Sequence, residues 1–348
     1  LAFTRFARAL PKPDTKTVAE AMASHLDLLS NRHTVPEGIQ EQIEQYTYYT
    51  FRQKFIGGLR HCKPPISSNA VGECSKAKGG YNGHINQCAQ DPAFLGVDPP
   101  VGRIPSYSVT RALWRQADSS GQDLLGYMQS TLALNAARMV ESFARGVADD
   151  EHRFVHSATA IGEQGDKCRV ITVPPASLFA AGDVCRQRAW PFIKKTDARL
   201  FSSDEEAKRR LASMRLPKGS IFVSADLTKA TDGFAHDAVR SVLRGLRRAG
   251  LDPSTVSLMA DSLGVGHRPH YVKYQINQLP FKRREQVVER FETVLDKNGA
   301  VTAVLVPMIR GILMGTPCSF TILSILNGWC AKPLGSLTVI CGDDVASA

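Results

Sequence analysis

The chain has 348 residues and a formal net charge of +10, from 43 lysines and arginines against 33 aspartates and glutamates. That excess favours a polyanionic partner, nucleic acid before an anionic membrane surface. No apolar run approaches the roughly 18 residues of a membrane-spanning helix. Eight scattered cysteines without a CxxC pair argue against a disulfide framework and for a reduced, intracellular setting.

Residues 1–160 are predicted to be helical and loop-rich. One apolar stripe at helical spacing comprises Ala19, Met22, Leu26 and Leu29. Residues 39–55 predict a second amphipathic helix, and residues 124–147 predict a later one. The loop-rich part from residue 61 to 103 carries four potential zinc ligands whose spacing fits no standard pattern, Cys62, Cys74, His84 and Cys88.

The segment Gly165–Pro175 predicts a short strand with two cations on one side, Lys167 and Arg169. A lysine provides a point charge and an arginine provides a bidentate fork, and both suit phosphate oxygens. A solvated strand with two surface cations is the alternative.

Further along, Ile221–Asp226 predicts a short buried strand that ends in a carboxylate. Asp232 follows, and from about Thr231 to Gly250 the apolar spacing is helical. A carboxylate at the end of a strand can share a metal ion with a carboxylate on a neighbouring strand. Asp226 could equally be a turn residue, and Asp232 could stabilise a helix N-terminus.

The next segment contains Asn298-Gly299 between two β-prone runs, which predicts a hairpin. A loop with two glycines and a proline begins at Arg310 and leads into an apolar helix. Ser319 lies near the start of that helix and Asn327 about two turns later, where a hydroxyl and an amide could hydrogen-bond a sugar hydroxyl. A plain loop capped by serine would look the same.

Near the end of the chain, Val339–Val345 reads as a tight hairpin with Gly342, Asp343 and Asp344 at its tip. Glycine permits the backbone angles of the turn, and two adjacent carboxylates offer the oxygen ligands that Mg²⁺ prefers. An acidic turn without a metal ion is the alternative for this motif alone.

The order of these motifs resembles the palm domain of viral RNA-dependent RNA polymerases. The amino-acid sequences of Ser224–Asp232 and Met314–Leu323 most resemble the corresponding motifs of polymerases from the narnavirus and ourmia-like (botourmiavirus) group. The resemblance implies an α+β fold, a right-hand polymerase palm with a fingers subdomain. It assigns residues 1–160 and 161–220 to the fingers, and 221–348 to a palm with a fingers insertion at about 252–305.

In that family the equivalent residues have defined roles. The resemblance implies that Asp226, Asp343 and Asp344 are catalytic and hold Mg²⁺, or Mn²⁺, with the Leu227 carbonyl as a possible further ligand. The implied NTP- and ribose-binding set is Asp232, Gly315, Thr316, Ser319 and Asn327. Lys167 and Arg169 would bind the triphosphate. In many relatives the asparagine stands four residues after the small hydroxyl residue, a position that Leu323 occupies here.

The implied function is template-directed RNA synthesis by two-metal nucleotidyl transfer, with an RNA template, a product strand and nucleoside triphosphates as partners. The expected location is the host cytoplasm, with the mitochondrion as the alternative. The family's next palm element and thumb do not follow Asp344 in this sequence. We therefore expect either a truncated reading frame or a split polymerase that a second chain completes.

Two further alternatives remain open at this point. A reverse transcriptase would usually carry an aromatic residue two positions before its paired aspartates, where this chain has Cys341, and a bulky group in place of Asp232. A non-catalytic basic RNA-binding or capsid protein would explain the charge alone. Its RNA contacts would come from clusters that include Arg186/Arg188, Lys194/Lys195, Lys208–Arg210, the arginines of 240–248 and Lys282–Arg284.

Overall fold

The computed structural model describes residues 11–52, 65, 67–90, 153–215, 218–227, 229–335 and 337–347, without the side chains of residues 88–90. The α-helices in these ranges are α1 (Thr15–Leu29), α2 (Glu37–Phe51), α3 (Gly80–Gln90), α4 (Ala176–Thr196), α5 (Asp204–Ser213), α6 (Ala230–Gly233), α7 (His236–Arg248), α8 (Pro253–Ser262), α9 (Arg284–Arg290) and α10 (Ser319–Cys330). The β-strands are β1 (Phe154–Glu163), β2 (Lys167–Val173), β3 (Val223–Ala225), β4 (His270–Gln275), β5 (Glu292–Leu295), β6 (Val301–Pro307), β7 (Thr338–Cys341) and β8 (Asp344–Ser347).

The strands form two sheets. The larger has the order β2-β1-β4-β6-β5, in which only β1 and β4 are parallel neighbours. The smaller has the order β3-β8-β7 and is antiparallel throughout. Helices and a mixed sheet of this kind confirm the predicted α+β class.

Helix α1 packs against the larger sheet and forms one hydrophobic core with it. Alternate residues of β4 are buried, among them Val272 and Tyr274, because successive side chains of a strand point to opposite faces. Met22, Leu26 and Leu29 of α1 pack into the same cluster. The predicted stripe of this helix is therefore confirmed.

A second core joins α4, α7, α8 and α10 to the smaller sheet. Val239, Val242 and Leu246 of α7 are fully buried in this core, as the helical spacing predicted. The helix ends before Gly250, which has a φ of +102° that favours glycine. Helix α6, between β3 and α7, contacts both α1 of the first core and α10 of the second.

The predicted Asn-Gly hairpin is confirmed. Strands β5 and β6 pair antiparallel, and the connecting turn is closed by hydrogen bonds between Asp296 and Ala300. Gly299 has a φ of +81°, the left-handed conformation that a tight turn requires of glycine.

The predicted burial of the strand at 221–226 is wrong. Strand β3 covers only Val223–Ala225, and its residues are exposed. Ile221 is 80% exposed and Phe222 is 53% exposed. Within the described residues β3 is an edge strand with β8 as its partner, so the apolar run lacks the packing on both faces that its composition suggested.

Several cationic clusters are engaged within the fold. Arg244 and Arg248 both pair with Glu44, each at 2.8 Å. Further ion pairs join Arg186 to Asp183, Lys194 to Glu206 and Arg283 to Asp27. These cationic side chains therefore already have acidic partners within the fold.

Two predictions fall partly outside the described residues. The helix predicted at 124–147 lies there, as do Cys62 and the side chain of Cys88. Cys74 is buried, and its thiol donates to the carbonyl oxygen of Lys78 at 3.5 Å. Among the described residues, no three or more histidine, cysteine or acidic side chains group closely enough to hold a metal ion.

None of the described helices has the length and apolar character needed to cross a bilayer.

Candidate active site

The tip of the β7–β8 hairpin is a two-residue turn made of Gly342 and Asp343. Cys341 and Asp344 are the last paired residues on either side of it. Gly342 has a φ of +64°, and Asp343 is not among the residues with positive φ. A positive φ at the first central position alone is the pattern of a type II′ turn, which matches the twist of the flanking strands.

Helix α10 holds this turn in place. The buried side-chain amide of Asn327 donates to the carbonyl oxygens of Gly342 at 2.9 Å and of Asp343 at 3.2 Å. Phe320 of the same helix lies against Gly342. The amide of Asn327 is thus engaged with the backbone of the turn, and its contact with a ribose stays a prediction.

The register of β3 and β8 brings Asp226 beside Asp344. Ala225 lies opposite Val345, so the next residue along β3, Asp226, comes level with Asp344. Residues directly opposite in an antiparallel pair project to the same face of a sheet. Carboxylates that are more than a hundred residues apart in the sequence therefore meet at one edge of the smaller sheet.

The electrostatics agree with this arrangement. Burial, followed by the negative charges of Asp343, Asp226 and Asp204, raises the pKa of Asp344 above its ordinary value. Burial also raises the pKa of the Cys341 thiol, to about 11, with further contributions from Asp204 and the two hairpin carboxylates. The carboxylates of Asp204, Asp226, Asp343 and Asp344 therefore lie close enough to repel one another, and a divalent cation would relieve this repulsion.

The donor set fits Mg²⁺ chemically, since it consists of hard carboxylate oxygens with the Leu227 carbonyl nearby in the chain. Asp226 and Asp344 are exposed, and Asp343 is half-buried. Among the described side chains, no three or more of these ligand types lie close enough together to enclose an ion.

Asp232 lies in the short helix α6, next to the glycine-rich loop. The backbone N–H groups of Gly311 and Ile312 donate to the carbonyl oxygens of Phe234 and Thr231 at 2.8 and 3.0 Å. The guanidinium of Arg310 donates to the carbonyl of Gly233 at 2.8 Å. The loop and the segment that carries Asp232 are consequently one hydrogen-bonded unit.

The other predicted ribose-site residues lie deeper in this loop. Ser319 is buried, and its hydroxyl contacts the carbonyl oxygens of Ile312 and Leu313, both at 2.6 Å. Thr316 is also buried. A Cβ on Gly315 would lie 2.0 Å from the carbonyl oxygen of Thr172, so only glycine lets the loop approach β2 this closely.

Lys167 and Arg169 lie on β2 as predicted, with exposed side chains. They are two residues apart in the strand and so share a face. Arg169 forms an ion pair with Glu163 of β1 at 3.2 Å. Because β2 ends at the segment that contacts Gly315, the strand with these cations runs toward the glycine-rich loop.

Two residues near the site were not predicted. Asp204 begins α5, and its place after Ser203 in an acidic first turn is that of an ordinary helix N-terminus. His25 is a buried histidine of α1 whose Nε2 atom lies 3.5 Å from the Oδ2 atom of Asp232. The sequence around each residue indicates only a helix. Each residue comes close to the site because of the tertiary fold, which local sequence does not reveal.

Comparison with known proteins identifies two relatives. The chain is 23% identical to the RNA-directed RNA polymerase of Saccharomyces 23S RNA narnavirus, over 98% of this chain and 34% of that protein. It is 19% identical to the RNA-directed RNA polymerase of Saccharomyces 20S RNA narnavirus, over 93% of this chain and 33% of that protein. No protein-family model matches the chain.

The chain therefore spans about a third of the length of the curated relatives it matches. The similarity extends along almost the whole chain and agrees with the motif order and with the meeting of Asp226 and the Gly-Asp-Asp hairpin. The chain is thus similar, along almost its whole length, to RNA-directed RNA polymerases of two narnaviruses.

Proposed function

We propose that the protein containing this chain synthesises RNA on an RNA template, and that the edge of the smaller sheet is its catalytic centre. The observation that carries the proposal is the register of β3 and β8, because it aligns Asp226 with the Gly-Asp-Asp hairpin. The names of the two relatives support the same activity.

In this proposal Asp226, Asp343 and Asp344 hold divalent cations, with the Leu227 carbonyl as a further ligand. Magnesium bound there would neutralise phosphate charge and lower the barrier to attack on the α-phosphate. The carboxylates would supply the negative charge that retains the cation. The hydrogen bond from Asn327 would hold the turn, and with it Asp343, in one conformation. Subdomain assignments follow the same proposal, with this sheet in the palm.

The nucleotide would approach from the side of the glycine-rich loop. Lys167 and Arg169 would stabilise the triphosphate, for which Arg169 would exchange its pairing with Glu163 for phosphate oxygens. Asp232 would accept a hydrogen bond from the ribose 2′-hydroxyl and so favour ribonucleotides. Gly315, Thr316 and Ser319 would shape the loop against which the sugar lies.

A purely RNA-binding role is less well supported. It rests on the positive charge, and several of the cationic clusters already have acidic partners within the fold. It would also leave the convergence of three further carboxylates on Asp344 without a purpose, although mutual repulsion makes such a cluster unfavourable.

The test is extension of an RNA primer on an RNA template by the full-length protein in Mg²⁺. Wild-type protein is expected to add template-complementary ribonucleotides. Asp343→Ala is expected to abolish extension while RNA binding persists, and Glu289→Ala, an exposed acidic residue of α9, serves as the matched control. Extension by Asp343→Ala at the wild-type rate would refute the proposal.

A further inference from the structure

Helix α1 reaches across the larger sheet to the segment that carries Asp232. The hydroxyl of Ser24 accepts a hydrogen bond from the Nζ atom of Lys229 at 2.7 Å. Lys229 has a φ of +53°, a conformation that is uncommon outside glycine and that needs support from its surroundings. The next residue of α1, His25, approaches Asp232. Two adjacent residues of α1 therefore contact the two ends of the segment 229–232.

The contact between His25 and Asp232 is buried. The side chain of His25 is 4% exposed and that of Asp232 is 14% exposed. The Nδ1 atom of His25 lies 2.6 Å from the hydroxyl of Tyr274 in β4. Its Nε2 atom lies 3.5 Å from the Oδ2 atom of Asp232 and has no hydrogen-bond partner among the described residues.

The tautomer of His25 follows from its two neighbours. An unprotonated Nε2 would direct its lone pair at a carboxylate oxygen, which is unfavourable. Burial, followed by the charges of Asp232 and Asp27, raises the pKa of Tyr274 well above its ordinary value, so its hydroxyl keeps its proton and can donate to Nδ1. Both contacts favour the tautomer with N–H at Nε2, directed at Asp232.

A buried N–H at 3.5 Å is slightly too far for a hydrogen bond, and a shift of the Asp232 carboxylate by a few tenths of an ångström would form it. Hydrogen bonds in active sites are often long without substrate and shorten when substrate binds. The other carboxylate oxygen, Oδ1, lies 3.4 Å from the Thr231 hydroxyl. His25 and Thr231 thus contact opposite oxygens of one carboxylate.

We propose that His25, supported by Tyr274, is a positioning residue that orients the Asp232 carboxylate for the ribose 2′-hydroxyl, so that helix α1 contributes to sugar selection. The inference rests on the proposed polymerase function, and it extends that function to a residue outside the motifs. His25 itself would not touch the nucleotide.

The test compares single-nucleotide incorporation of a ribonucleotide and of its 2′-deoxy analogue by the full-length protein. His25→Ala is expected to lower the preference for the ribonucleotide about tenfold, the effect of losing one hydrogen bond to a charged group, through a higher KM for the ribonucleotide. Tyr274→Phe is expected to act in the same direction, and His33→Ala, an exposed histidine after α1, is the control with unchanged preference.

A combined His25→Ala and Asp232→Asn variant should show no greater loss of preference than Asp232→Asn alone, because both changes remove the same interaction. An unchanged preference in a variant that still extends RNA would overturn the inference and leave the polymerase function intact. Equal losses with both nucleotides would also overturn it, since they indicate a general folding defect. A full-length wild-type protein that does not extend RNA would refute both proposals.

Discussion

The side-chain amide of Asn327 donates a hydrogen bond to the carbonyl oxygen of Gly342 across 2.9 Å. This bond joins the helix that follows the glycine-rich loop to the turn that presents Asp343. The loop is itself bonded to the segment that carries Asp232. Hydrogen bonds to backbone groups thus link the Asp232 segment, the glycine-rich loop with its helix, and the Gly-Asp-Asp hairpin.

Replacing Asn327 by alanine should destabilise the protein and reduce RNA extension. The change leaves two carbonyl oxygens without their donor, with an expected loss of about 1–3 kcal/mol in the free energy of unfolding. Denaturant unfolding and extension assays would measure both effects. Asn277→Ala, at an exposed position, is the control. Equal unfolding midpoints for the two variants would contradict the role assigned to Asn327.

Gly315→Ala should disrupt the contact between the glycine-rich loop and β2. Its φ is not positive, so the effect would come from the added Cβ, which meets the Thr172 carbonyl at 2.0 Å. We expect a loss of about 1–3 kcal/mol from overpacking. Gly38→Ala in α2, where a Cβ meets no atom within 4 Å, should be neutral or slightly stabilising. The prediction is wrong if calorimetry finds the two variants alike.

Acid should destabilise the fold through the buried His156 and His270 and the half-buried His236. Burial lowers the pKa of His270 to about 3 and of His236 to about 4, and burial beside His270 holds the pKa of His156 well below 6.5. Below pH 6.5 the unfolded chain takes up protons that the folded chain does not. The stability present above pH 6.5 is therefore lost as the pH falls toward 4, by up to about 1.4 kcal/mol per histidine and pH unit.

Denaturant unfolding at a series of pH values between 7.5 and 5 measures this slope. His156→Gln should flatten it, because one buried imidazole is removed, whereas His33→Gln at an exposed position should leave it unchanged. A wild-type stability that does not change between pH 6.5 and 5 would rule out the buried histidines as the cause of acid sensitivity.

Local patterns predicted much of the fold. The stripe of α1, the helix after Asp232 and the Asn298-Gly299 hairpin each follow from residues close together in the sequence, and the structure has all three. The burial of β3 was predicted wrongly. An apolar run shows that a segment can be buried, whereas its actual burial depends on which neighbours pair with it.

The candidate site was partly predictable. Motif order indicated that Asp226 and the Gly-Asp-Asp hairpin would meet, and the β3–β8 register agrees. Asp204 was missed because an acidic first turn already has a local explanation. His25 was missed because its contact with Tyr274 joins residues 249 positions apart, and a single histidine on an amphipathic helix carries no signal of that contact.

The proposed role of Asp226 is to bind a divalent cation during RNA synthesis, and the variant Asp226→Cys probes that role. A thiolate is a poor ligand for Mg²⁺ and a better one for softer cations. We expect the variant to lose about 1,000-fold or more of its extension rate in Mg²⁺. We also expect partial recovery in Mn²⁺ or Cd²⁺, with RNA binding unchanged. Extension by Asp226→Cys at the wild-type rate in Mg²⁺ would show that Asp226 is not a metal ligand.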